Sequence, residues 1–185
     1  MWDSFELPDR GFIFISEDET APPLPPASFN LEDPATTSSG WVWLGSTSAQ
    51  QRFTIETLEN PEPDLFEGES KTLCHKPVFL KTTFTGLWGS AQTVKSVLQA
   101  NRDESLGAWA LPETVAPAVR SVMVVMVDED GGVFGWYFNR LKMVADVASE
   151  ASGDYFLGFS VAGYPLKPKA SGPARVLKFD KAAKE

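Results

Sequence analysis

The apolar positions of this chain fall in short runs with the period of strands. Gly11-Phe12-Ile13-Phe14-Ile15-Ser16 is β-rich and apolar, which predicts a strand. Trp41-Val42-Trp43-Leu44-Gly45 predicts a second. Between Arg52 and Leu58, Phe53 and Ile55 alternate with Thr54 and Glu56, the pattern of a strand buried on one face. Val78 to Thr85, closed by Gly86, and Tyr155 to Gly163 also read as strands, with Gly158 as a place of close approach. The clearest local signal is a pair of dense apolar runs, Val119 to Val127 and Val133 to Val144, separated by Asp128-Glu129-Asp130-Gly131-Gly132. That spacer supplies the positive φ angles of a hairpin turn.

Only one span has helical spacing. Ser90 can cap it, and Val94, Val97 and Leu98 recur at three and four residues within Ser90 to Asn101, so an amphipathic helix is expected on the flank of a sheet. Residues 17–40 are polar and rich in proline, with Pro22-Pro23-Leu24-Pro25-Pro26 at their centre. Proline lacks the ladder donor and restricts its predecessor. The span therefore reads as an extended arm or long loop, ordered by a neighbouring molecule. A second acidic loop follows Asn60-Pro61-Glu62-Pro63, and Pro165, Pro168 and Pro173 punctuate a tail in which Arg175 to Phe179 forms an edge strand or a docked arm. Seven or eight strands, one helix and no strand–helix alternation predict one mainly β domain over residues 1–185. Its expected form is an antiparallel sandwich or barrel with one flanking α-helix and extended N- and C-terminal arms.

Composition agrees with a packed domain: 185 residues, 43% hydrophobic and 12% aromatic. The net charge of -9 argues against a surface that grips nucleic acid or an anionic membrane. The charge is uneven. Residues 1–70 carry 14 acids and 2 bases, whereas residues 164–185 carry 6 bases and 2 acids, which reads either as a solvated surface with a Lys-rich end or as an acidic front and a basic arm that meet between copies. One Cys and one His exclude an internal disulfide and a zinc site of Cys and His alone. No basic-apolar leader or bilayer-length apolar run is present, and the chain is expected to stay in the cytoplasm of the cell that makes it.

Catalytic patterns are weak. Gly158-Phe159-Ser160-Val161-Ala162 has the look of a nucleophile elbow, but Gly163-Tyr164-Pro165 breaks the chain where a helix should follow, and His75 lies upstream. Cys74 and His75 are neighbours, so on a strand they point to opposite faces and form no nucleophile–base pair. Asp128-Glu129-Asp130-Gly131 resembles the start of a calcium loop without the closing Glu, and reads as a solvated hairpin tip. No Gly-rich phosphate loop occurs. The expectation is a protein that is not an enzyme and carries no cofactor and no metal. Trp41 and Trp43, two apart on a strand, share one face, as core or as interface together.

The order of features resembles the major tail tube protein of long-tailed, non-contractile bacteriophages (siphophages). Gly40-Trp41-Val42-Trp43-Leu44-Gly45-Ser46-Thr47-Ser48 is similar to the G-W-x-x-L-G-x-T-S segment leading into the first body strands of many actinobacterial phage tube subunits. The run from Phe53, the acidic loop, the hairpin into Phe138-Asn139-Arg140-Leu141-Lys142-Met143, and Gly153-Asp154-Tyr155-Phe156-Leu157-Gly158-Phe159 follow in the same order. The Pro-rich insertion from Ala21 to Pro34 departs from it.

The resemblance implies a structural virion protein that self-assembles into stacked hexameric rings, forming an acidic channel through which genomic DNA passes without specific binding. Its implied partners are copies of itself, the tape measure protein and the tail terminator and initiator proteins, with no membrane. Its implied location is the virion tail, assembled in the host cytoplasm. Within that picture alternation offers Glu56, Glu59, Lys81 and Thr83 as lumen-facing candidates. Trp41, Trp43, Lys167, Lys169, Arg175 and Lys178 are the assembly-interface candidates. Two other roles fit the composition: a capsid decoration or head–tail connector subunit, and a carbohydrate- or protein-binding module using Trp41, Trp43 or Trp88 as a platform.

Overall fold

The computed structural model describes residues 10–16, 18, 21–37, 40–48, 53–58, 79–88, 95–96, 99–110, 112–113, 115–146, 158–168 and 176–182. The protein is mainly β and its sheets are antiparallel. Ten strands are described: β1 (Arg10–Ser16), β2 (Trp41–Ser48), β3 (Phe53–Leu58), β4 (Phe79–Trp88), β5 (Asn101–Asp103), β6 (Ala108–Ala110), β7 (Ala118–Val127), β8 (Val133–Asp146), β9 (Gly158–Pro165) and β10 (Val176–Ala182). Eight form one sheet in the order β2-β1-β7-β8-β9-β4-β3, with β10 attached to β8 beside that path, while β5 and β6 pair only with each other.

The long strand β8 organises the sheet. One edge runs beside β7 from Val133 to Met143. The other is divided: Val133 to Phe138 pair with β10, and Leu141 to Asp146 pair with β9. The chain between β7 and β8 makes this register local, because Gly131 adopts φ +79° and its N–H donates to the Asp128 carbonyl at 3.1 Å, the backbone a tight hairpin demands. Gly135 is fixed by packing instead. A Cβ there would collide with the Val124 carbonyl oxygen and come within 3.2 Å of Pro26.

Alternation sends the two sets of side chains to two cores. On one face Ile13, Leu44, Val122, Val124, Phe138, Leu141, Phe84 and Val161 pack together, drawn from six strands, and β2 approaches β4 across it. On the other face Phe12, Phe14, Trp41, Met123, Val125 and Tyr137 pack against Ala21 and Phe29 of the Pro-rich segment. In β2 alternation sends Val42 and Leu44 to the first core and Trp41 and Trp43 to the second, and a bulge follows, where Ile13 pairs with Gly45 and Phe14 with Trp43 so that Leu44 is the extra residue.

The Pro-rich segment corrects the expectation that a neighbour orders it. It folds over its own sheet through 3-10 turns at Pro26–Ser28 and Pro34–Thr36, and Phe29 is 5% exposed with its ring 4.4 Å from that of Phe14. Burying such a ring contributes about 1.5–3 kcal/mol, enough to hold a segment that cannot join a ladder. Within it Pro22 and Pro25 are exposed, while Ala21 and Pro26 are buried.

In the span expected to be a flanking helix, Lys95 and Ser96 are helical, Gln99 and Ala100 are not, and Asn101 opens β5. The remaining residues of that span lie outside those described. Gln99 sits at φ +54°, the left-handed region that stops a helix. The β5–β6 hairpin was not expected at all. Its turn is tied by Asp103, whose Oδ1 accepts from Ser105 N at 2.9 Å, Ser105 Oγ at 2.6 Å and Leu106 N at 3.2 Å. Among the described residues no helix is long and apolar enough to cross a membrane.

Candidate assembly surfaces

The candidate lumen residues come from β3 and β4, which pair with Glu56 opposite Lys81 and Thr54 opposite Thr83. Phe53 and Ile55 point the other way, into the first core, where the Phe53 ring stacks on Phe84 at 5.4 Å. Alternation therefore brings Glu56, Lys81, Thr54 and Thr83 onto one outward face, Glu56 exposed and the other three half-buried. A cross-strand acid–base pair of this kind adds about 0.2–1 kcal/mol to a sheet. The face is charge-balanced at this point rather than acidic. Glu59 lies outside the described residues. Among them β3 pairs only with β4, so it ends the sheet.

The candidate interface residues do not form one group. Trp41 is 3% exposed, edge-on to Phe29 at 6.1 Å and to Tyr137 at 6.4 Å, which makes it a core residue with no side-chain surface to offer. Trp43 is half-buried on the same core. The same geometry removes Trp41 from any ligand platform, and Trp88 has no described side chain. Lys178 is exposed on β10 with its ammonium 6.0 Å from the Trp136 ring centre, a cation–π distance. Lys167 is exposed and its carbonyl accepts from Arg140 Nη1 at 3.1 Å. Lys169 and Arg175 lie outside the described residues.

A contact that the sequence pattern does not disclose lies at the hairpin tip. The composition of the turn predicts a solvated Asp128, yet its side chain is 5% exposed. Oδ1 accepts from Gly132 N at 2.6 Å and Asp130 N at 3.1 Å, and the Lys181 ammonium lies 2.6 Å from Oδ2. Lys181 holds the Asp128 carboxyl below its ordinary range, against the opposing effect of burial. The arrangement clips β10 to the turn between β7 and β8, and a Cβ at Gly132 would push the Lys181 side chain away from Asp128. An acidic turn followed fifty residues later by a Lys-rich tail was the available signal; the pairing itself is tertiary.

The exposed hairpin carries a second arrangement. Arg102, opposite Trp109 in the register, lies 5.7 Å from that ring and 3.2 Å from Glu104. Leu106 at the tip is 77% exposed. Hydrogen bonds from Ser105 and Leu106 hold the Asp103 carboxyl low.

For the weaker catalytic patterns, Cys74 and His75 lie outside the described residues. Ser160 stands in β9 with no described side chain. Among the described residues no group of three or more His, Cys, Asp or Glu side chains could hold a metal ion. The sequence matches no protein-family model and none of the curated proteins.

Proposed function

We propose that this chain is a tail tube subunit, a structural protein that assembles with copies of itself into hexameric rings stacked as a hollow tube. In this reading the eight-stranded sheet is a sandwich or barrel whose end strands join those of neighbouring copies. The observation that carries it is the position of β3: it ends the sheet with no strand beyond it among the described residues, and its outward face gathers Glu56, Lys81 and Thr83. A sheet edge with unpaired N–H and C=O groups is a template for another strand. Pairing that edge in a closed ring removes it, and a heterologous contact along the axis continues as a filament. The resemblance around Gly40 to Ser48 points the same way.

The channel's chemistry follows from charge. A wall that neutralised phosphates would bind DNA and slow its passage, because each contact adds affinity. A negative wall leaves the duplex hydrated and moving. With Lys81 opposite Glu56, β3 and β4 supply no excess negative charge to such a wall at that point. Partners in this reading are the tape measure, terminator and initiator proteins, and the location is the virion tail.

The test is negative-stain electron microscopy of the purified chain across a concentration series, with its mass measured by light scattering. Hollow filaments or stacked six-fold rings are expected. A chain that stays monomeric at every concentration overturns self-assembly, and closed trimers or rings that never elongate favour a capsid decoration or connector role.

A further inference from the structure

The apolar face beneath the Pro-rich loop ends in a row of polar side chains. Ser16 on β1 stands opposite Ser121 on β7, and the Ser121 hydroxyl donates to the Asn139 carbonyl of β8 at 2.7 Å. Their exposures are 4%, 0% and 0%. Tyr137, two residues before Asn139 and on the same face, reaches over to the loop. Its hydroxyl donates to the Ala21 carbonyl at 2.6 Å and accepts from Asn139 Nδ2 at 3.0 Å.

Proton counting fixes the Asn139 amide. The phenol has one proton and gives it to Ala21, so towards Asn139 it can only accept, which requires the amide nitrogen there. Asn139 Oδ1 then faces away, buried and without a hydrogen-bond partner among the described residues. Turning the amide over gives no relief. Oδ1 and the Ala21 carbonyl would then compete for a single phenolic proton, and Nδ2 would be stranded in place of Oδ1. Leaving a buried carbonyl oxygen without a donor costs a sizeable part of a domain's whole stability.

We propose that this row binds one internal water molecule, which donates to Asn139 Oδ1 and completes the fastening of loop 21–37 to the sheet. The site suits water by its chemistry. It needs a donor, the Ser121 hydroxyl has given its one proton to the Asn139 carbonyl and cannot supply it, and an internal water donates two protons and makes two to four hydrogen bonds. Through Tyr137 the same network reaches Ala21, the first described residue of the loop, so the water belongs to the tether and not merely to the core.

The wild-type chain decides the matter directly. A crystal structure that resolves ordered solvent should show a water about 3 Å from Asn139 Oδ1. A protein donor on that oxygen, or a dry void, overturns the proposal. Oxygen-17 relaxation dispersion then counts long-lived internal waters, and Asn139→Leu should lose one of them. In the same variant the amides of Ser28 and Phe29 should exchange about tenfold faster than in the wild type. A variant that folds and keeps the full count of internal waters also overturns it. Phe29→Ala, which loosens the loop and leaves the polar row intact, should keep the water and so separates loss of the site from general loosening.

Discussion

The two faces of the sheet are buried by different means. On the first, strands cover strands: Phe138 of β8 meets Phe53 of β3 at 6.2 Å, and Leu44, Val122 and Val161 reach the same core from three further strands. On the second, a segment with no strand lies over Phe14, Trp41 and Tyr137 and contributes Phe29, Ala21 and a hydrogen bond from Tyr137. A strand brings its backbone bonds with it. A proline-rich segment brings few, so it must be held by rings and a small number of polar tethers. The first core should therefore govern global unfolding, and the second should open locally.

The largest effect expected is at the first core. Phe138→Ala should lower stability by about 3–5 kcal/mol, seen as a fall in the urea midpoint. Phe29→Ala in the loop should cost about 2–3 kcal/mol, because a surface loop can collapse into the space left behind. Equal losses at the two sites would erase the distinction between the cores.

Next comes Gly135→Ala, which forces a Cβ against the Val124 carbonyl oxygen, a backbone atom that cannot swing aside. About 1–3 kcal/mol is expected, read from the same unfolding curves. Tyr137→Phe should cost about 1–3 kcal/mol, since it leaves the Ala21 carbonyl without its donor. Hydrogen exchange should rise first in the loop, with the β7 and β8 amides unchanged.

The smallest effect is at the hairpin tip, and its direction is set by pH. The folded Asp128 carboxyl is held low by Lys181, so it binds a proton less readily than in the unfolded chain. Its contribution is fully present above the unfolded value, about pH 4, and disappears as pH falls through the depressed folded value. Asp128→Asn should flatten that part of the acid dependence of the urea midpoint while leaving the loop amides unaffected. An unchanged acid profile would show that the ion pair with Lys181 does not differ between the folded and unfolded chain.

Much of the strand pattern was legible because its signal is local. Phe53 and Ile55 alternate with Thr54 and Glu56, and Asp128 to Gly132 has the composition of a turn, so β3 and the β7–β8 hairpin follow from neighbours in sequence. The β5–β6 hairpin escaped because its strands are three residues each and its turn depends on one carboxylate, Asp103. That Trp41 and Trp43 share a face was readable; that the face is a core was not, since its cover comes from residues 21–37. Glu56, Lys81 and Thr83 were grouped by alternation, and the pairing of β3 with β4 sets them on one face.

The sequence by itself determined the mainly β, antiparallel character, because side-chain period and turn chemistry act over a few residues. Only the tertiary structure decided the order of the strands, the division of one β8 edge between β9 and β10, the folding of the proline segment onto its own sheet and the reach of Lys181 to Asp128. Those depend on which apolar faces can be covered at once, and that choice is made between residues far apart in the chain.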